Sequence, residues 1–265
     1  MYTRLLVPVD GGERSEVALE LAARLAAVTG AHVDVLEVVE PTDGEVRSQA
    51  TTEVRFGGVS VRESKIVRSV KTVVGDEIAR EVLLEGGTLV VMATAARGRM
   101  AGLVGSVAED VMSRIDSPVL LVGPSVELPE PDAQWAGPMY VCTDSSDYSD
   151  RILEPAAEMC RTTGLHPWII SVGAPGMSDA AHEANHVANL AKRMGQMIGQ
   201  TVDFDALHEK HVAEDIVDYA TRGGASVIAM ATQSKTGYKR IFEGSVSMDV
   251  VHDAHCPVLV VHPSS

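Results

Sequence analysis

Two aspartates each close a short apolar run, Asp10 after RLLVPV and Asp144 after MYVCT. A carboxylate in that place can accept hydrogen bonds from a sugar or a base, whereas it would repel a phosphate. Two Gly-Ser pairs, Gly105-Ser106 and Gly244-Ser245, each open a run with helical spacing. Free amides at a helix start attract anions. An acceptor for one end of a ligand and anion-binding amides for the other suit a nucleotide. Local structure offers a competing account of each feature. An aspartate after a strand commonly accepts a bond from a nearby backbone amide. Ser106 with Glu109 forms S-x-x-E, a capping box. Ser245 is followed by Met248, so the box is not repeated although Gly-Ser is. Basic residues flank both loops, Arg97 and Arg99 in one and Lys235, Lys239 and Arg240 in the other; a solvated face is the simpler account of them.

These residues occur twice because the chain repeats itself. Asp10, Thr29-Gly30 and His32 recur as Asp144, Thr163-Gly164 and His166, all 134 positions later. TLVVMAT (88–94) recurs as SVIAMAT (226–232), and GSVAEDVMSRIDSPVLLVGP (105–124) as GSVSMDVVHDAHCPVLVVHP (244–263). Slowly drifting offsets are what duplication followed by small insertions leaves behind. VELPEPDAQWAG (126–137) reads as a linker. The expected units are 1–125 and 138–265.

Within each unit apolar strands alternate with helical patterns. Residues 4–9 and 32–39 read as strands, and 13–29 as a helix through Val17, Leu21, Leu25 and Val28, stopped by Gly30. Ile78 and Val82 mark a helix over 76–85. LVVM (89–92) is a buried strand, Val107–Ile115 a helix and VLLV (119–122) a last strand. Ile152, Ala156 and Met159, then Ile216 and Val217, then VIAM and VLVV repeat the order. Residues 42–75 read less clearly: VRFGGVSVRES is a strand, with a helix beside it left open. Continuous apolar strands alternating with helices predict parallel sheets covered on both faces, a doubly wound α/β domain in each half. Ligands in such sheets bind beyond the strands' carboxyl ends, where the strand order reverses. Asp10, the 93–105 loop and Ser106 fall there.

Composition excludes several classes. The net charge of −15 opposes unspecific attraction to nucleic acid or anionic lipid. Three cysteines without paired spacing (Cys142, Cys160, Cys256) argue against a disulfide framework and for a reducing cytoplasm. The apolar run before Asp10 is too short for a signal peptide, and no stretch is apolar enough to span a membrane.

Taken together, PVDGG (8–12), the M-A-T loops at 92–94 and 230–232, both GSV starts and the SPVLLV and CPVLVV ends resemble the universal stress protein family in its tandem form. The resemblance covers nearly the whole chain twice. It implies five mainly parallel strands per half and halves associated through their last strands, an internal pseudo-dimer that is monomeric or further dimerised. Some members of that family bind ATP through a loop of the form G-x2-G-x9-G-[ST]; others lack the glycines and bind none. Carried over, the loop falls on Met92, Ala93, Ala96, Arg97, Gly105, Ser106 and Val107, with one residue fewer before Gly105. In the second half it falls on Met230, Ala231, Ser234, Lys235, Gly244, Ser245 and Val246, with the spacing intact. The base and ribose end falls on Pro8, Val9, Asp10 and Val38, and on Cys142, Thr143, Asp144 and Val172. The implied ligand is ATP, with magnesium, or another adenine nucleotide. Where a loop glycine needs positive φ, a Cβ costs about 1–2 kcal/mol, and about 1.4 kcal/mol is tenfold in affinity. The first half thus has the better base end and the second the better phosphate end.

Other chemistries are less supported. HEANH (182–186) matches H-E-x-x-H, a zinc-hydrolase pattern with Glu183 as base, but lacks a third ligand at extended spacing; His208, Glu209 and His211 are distant partners. His252 and His255 read as helix surface, and Cys256 as core. No G-x4-G-K-[ST] occurs. Three function classes remain: a nucleotide-binding regulator with at most slow hydrolysis, a ligand-free scaffold acting through protein contacts with unknown partners, and a metal-dependent hydrolase.

Overall fold

The structure is a computed structural model that describes residues 2–39, 48–56, 59–67, 73–94, 106–144, 146–173, 180–208, 211–232 and 246–262. The front half runs β1 (Arg4–Val9), α1 (Glu13–Thr29), β2 (His32–Val39), β3 (Ser48–Phe56), β4 (Val59–Val67), α2 (Val74–Leu83), β5 (Thr88–Ala93), α3 (Ser106–Met112) and β6 (Val119–Val122). The back half runs β7 (Met139–Thr143), α4 (Leu153–Thr163), β8 (Pro167–Gly173), α5 (Ala180–Ile198), β9 (Asp203–His208), α6 (Val212–Arg222), β10 (Val227–Ala231), α7 (Val246–Asp253) and β11 (Val258–Val261). α1 and α4 end alike. Gly30 (φ 73°) and Gly164 (φ 79°) take the left-handed conformation and return their amides to Ala26 and Cys160. That conformation is nearly free for glycine and strained with a Cβ.

The strands form one sheet in the order β3-β4-β2-β1-β5-β6-β11-β10-β7-β8-β9. Within each half the pairing is parallel except at β3, and β6 meets β11 antiparallel at the centre through Leu120↔Leu259. The two halves therefore share a sheet. Strand side chains alternate between its faces. Leu5, Val7, Leu120 and Leu259 pack under α1, α4 and α5, while Leu6, Val90, Leu121 and Val260 pack under α2, α3, α6 and α7. Both cores run unbroken across the centre. Each fully buried aliphatic side chain there contributes about 1.5–3 kcal/mol.

The expectation of five strands per half holds for the back half only. Between β2 and β4 the front half places β3, which pairs antiparallel with β4 from Ser48↔Val67 to Phe56↔Val59; between β8 and β9 the back half places α5. The single strand read over VRFGGVSVRES is thus two. Gly57-Gly58 between two β-branched runs is a hairpin signal, and it is the cue the strand reading passed over. The expected linker is not a free spacer. Val126 is buried, Leu128 and Trp135 pack on the core, and Arg24 of α1 donates to the Pro129 carbonyl at 2.6 Å and to Gln134 at 3.1 Å.

Candidate functional site

Register shows where the sheet opens. β1 pairs with β2 as far as Val9↔Glu37, but with β5 only as far as Leu6↔Val90. β7 likewise follows β8 to Thr143↔Ser171 and leaves β10 after Val141↔Ala229. Each central strand connects to a neighbour on either side, so this is the point where the strand order reverses. Right-handed crossovers carry the following chain away from it and leave a crevice. Pro8–Asp10 and Met92–Thr94 stand at the strand ends on either side of one parting; Cys142–Asp144 and Met230–Thr232 stand on either side of the other.

The expected base-end residues all lie at these strand ends. Pro8, Val9 and Val38 are partly buried, Val172, Cys142 and Thr143 are buried, and Asp10 and Asp144 are exposed. Burial pushes the Cys142 thiol up to about 12, so it is an inert wall. Both aspartates also make the local turn that competed with a ligand role. The Gly12 amide donates to Asp10 Oδ1 at 3.0 Å and the Ser146 amide to Asp144 Oδ1 at 3.1 Å. Burial would raise the Asp144 carboxyl, but hydrogen bonds from Ser146 and Ser149 outweigh it and hold the group below the ordinary aspartate value. It stays ionised near neutral pH, as an acceptor only.

The phosphate end is less fully seen. Met92 and Met230 are buried beneath the crevices, and Ala93 and Ala231 close β5 and β10. Both alanines sit in extended, laddered backbone (Ala93↔Val122, Ala231↔Val261), so the penalty expected for a Cβ at positive φ does not arise at the first loop position. Ala96, Arg97, Gly105, Ser234, Lys235, Gly244 and Ser245 lie outside the described residues, as do Arg99, Lys239 and Arg240. Ser106 opens α3 and Val246 opens α7, and Val107 and Val246 are each 37% exposed. Both helix starts thus carry a part-exposed aliphatic side chain. Glu109 Oε1 is buried without a hydrogen-bond partner, so that oxygen does not complete the expected capping box. Burial alone raises this carboxyl.

The H-E-x-x-H segment lies on α5, as a helix. His186 Nε2 meets Asp150 Oδ1 at 3.2 Å, a pairing that ties α5 to the turn before α4. The side chains of His182, Glu183 and His208 and all of Glu209 lie outside the described residues. Among the described residues no group of three His, Cys, Asp or Glu side chains is set to hold a metal, and no helix is long and apolar enough to cross a membrane. Cys256 packs against the second core as expected; His252 lies on α7, with His255 just past its end.

Known proteins resemble this chain in sequence and in fold. The family model described as "Universal stress protein family" matches residues 1–123 and 137–262. Universal stress protein MJ0531 of Methanocaldococcus jannaschii is 39% identical over 79 residues, which cover 30% of this chain and 46% of that protein. Universal stress protein Rv2005c of Mycobacterium tuberculosis is 27% identical over 192 residues, 66% of this chain and 62% of that one. The chain thus aligns with about half to three fifths of these relatives' lengths. A universal stress protein structure from Archaeoglobus fulgidus shares the fold across 98% of each chain, with TM-score 0.66 and 18% identity.

Proposed function

The chain belongs to the universal stress protein family, and on that premise we propose that it is a stress-response regulator which takes an adenine nucleotide in at least one of its two strand-end crevices. The observation that carries this reading is the early parting of β1 from β5 and of β7 from β10, next to an exposed aspartate in each half. Asp10 and Asp144 would accept from the ribose or base. Pro8, Val9 and Val38, or Cys142, Thr143 and Val172, would wall the base. The amides at Gly105-Ser106-Val107 and Gly244-Ser245-Val246 would meet the phosphates, with Met92, Ala93 and Ala96 or Met230, Ala231 and Ser234 beneath, and Arg97 or Lys235 as counter-charge. Magnesium would enter with ATP and be held through its phosphates. Units 1–125 and 138–265 are the two modules of this reading, working in the cytoplasm as a pseudo-dimer, with no catalytic role beyond slow hydrolysis.

Protein purified without added ligand, then denatured, is expected to release AMP, ADP or ATP in near-stoichiometric amount. An empty supernatant, together with no thermal shift in millimolar ATP, sinks the reading and favours a ligand-free scaffold acting through protein contacts. Asp10→Ala should weaken ATP binding to the front crevice by about ten- to a hundredfold, the value of a hydrogen bond to a charged acceptor of about 1.5–3 kcal/mol. Calorimetry on the variant checks it; an unchanged Kd would leave Asp10 with its turn alone.

A further inference from the structure

A helix that only covers a sheet shows polar side chains to water, and the duplication supplies an example. α6 of the back half stands where α2 stands in the front, 138 positions later. The positions of α6 turned away from the core are His211, Glu214, Asp218, Thr221 and Arg222, all exposed and all polar or charged. The same five positions on α2 are Val73, Asp76, Arg80, Leu83 and Leu84. Spaced by three and four residues, they form one stripe along the helix. Three of the five are aliphatic. Val73 is 50% exposed, Leu83 76% and Leu84 70%, and the two leucines are the most exposed large apolar side chains among the described residues. The core does not require them: Ile78, Ala79 and Val82 already face it, as Ile216, Val217 and Ala220 do on α6. Single apolar residues are ordinary on a surface, but several gathered on one face mark a place of contact.

The order along the stripe decides what can cover it. Val73 stands at one end and Leu83 with Leu84 at the other, and Asp76 and Arg80 lie between them. Read from either end, an aliphatic group is followed by a charge, and the two charges are opposite. A second α2 laid antiparallel on the first therefore sets Val73 of each copy against Leu83 and Leu84 of the other, and Arg80 of each against Asp76 of the other. Both charges reach solvent and are paired within the chain, Asp76 with Arg114 at 2.8 Å and Arg80 with Glu77 at 3.3 Å. They would extend these pairs rather than enter a contact as bare ions. α6 cannot be used in the same way. Two α6 helices would set Asp218 against Glu214, and α2 on α6 would set Asp76 against Asp218, like charge on like in both cases. The partner that fits the stripe is another α2.

We propose that α2 is a two-fold docking surface through which two copies of this chain pair antiparallel, Val73, Leu83 and Leu84 flanking a doubled Asp76–Arg80 bridge. The pairing does not rest on the nucleotide reading. The stripe is about 16 Å long at the helical rise, short for an interface of about 800 Å² per partner, so the dimer belongs to the weak, reversible class. Sedimentation velocity on the full chain, from about 1 to about 500 μM, reads it. Wild type should pass from monomer to dimer across that range. Arg80→Asp alone and Asp76→Arg alone should each stay monomeric, because each sets like charges face to face. Mixed in equal amounts, the two variants should form a heterodimer in which both bridges are restored, which also shows that both fold. Leu83→Ser/Leu84→Ser should weaken the dimer by at least about tenfold, while its dilute melt matches wild type because both side chains are exposed. Wild type that stays monomeric throughout overturns the proposal. A dimer that all these variants keep overturns it too, since the contact then lies elsewhere, and so does a mixture of the two charge variants that fails to associate.

Discussion

Asp34→Ala is expected to destabilise the protein by about 3–5 kcal/mol, the usual cost of breaking one side of a buried ion pair. Arg4 and Asp34 are both nearly fully buried, on β1 and β2, and Arg4 Nε donates to Asp34 Oδ2 at 2.6 Å. Arg62 of β4 reaches the same carboxylate from the rim, with Nε at 2.8 Å from Oδ1. Without the carboxylate, Arg4 keeps the bond from Nη1 to the Glu81 carbonyl at 2.7 Å and, for charge, only the longer approach of Glu85 Oε2 to Nε at 3.9 Å, while its guanidinium remains buried. Urea denaturation at neutral pH reads the loss; a change below about 1 kcal/mol would show that water enters the site. The pair also sets a pH dependence. Burial pushes the Asp34 carboxyl up, but hydrogen bonds and charge from Arg62 and Arg4 outweigh it and lower the group below the ordinary aspartate value. A depressed folded value means the contribution is present above the unfolded aspartate value and is lost as pH falls through the folded one. Acid unfolding of wild type should therefore carry a component that Asp34→Ala lacks.

The back half shows that charge is not required at this place. Pro138 and Trp168 stand where the front half has Arg4 and Asp34, and Tyr219 where it has Glu81. There Tyr140 packs edge-on to Tyr219 at 5.2 Å between ring centres and tilted against Trp168 at 6.3 Å. Two copies of one fold thus stabilise the same corner by an ion network and by aromatic packing. An apolar replacement of Arg4 and Asp34 together should consequently cost less than Asp34→Ala alone.

Gly123→Ala is expected to cost about 1–3 kcal/mol, towards the upper end. A Cβ on Gly123 would lie 2.0 Å from the Val251 carbonyl oxygen at the end of α7. A backbone oxygen in a helix cannot swing aside as a side chain would, so the two halves must shift apart where β6 meets β11. The same residue gives its carbonyl to Arg14, which ties α1 to the connecting segment. Thermal unfolding should fall by several degrees, at about 2–4 °C per kcal/mol for a chain of this size; a melt within one degree of wild type would mean that the junction yields freely. His262 at the equivalent back position carries a whole imidazole, so the two-fold relation breaks at this contact.

Local regularities made most of the elements legible. β1, α1, β2, β6 and β11 have the bounds their apolar spacing and Gly30 indicate, because periodicity and capping depend on residues within one or two turns. Two copies were legible because duplication leaves aligned residues, and Asp10 and Asp144 do follow directly on strand ends. Local cues were ambiguous at 48–67, where β-branched residues suit a strand at a sheet edge as well as under a helix.

By itself the sequence determined that there are two α/β copies, each with an aspartate and a helix start at the same end of its strands. Only the tertiary structure decided that Arg62 and Asp34 meet across 28 residues, Tyr148 and Thr232 across 84, and Gly123 and Val251 with no room for a side chain. The reason is physical. Those partners are neighbours only through strand order and the antiparallel join of β6 to β11, and neither leaves a mark on the spacing of residues along one element.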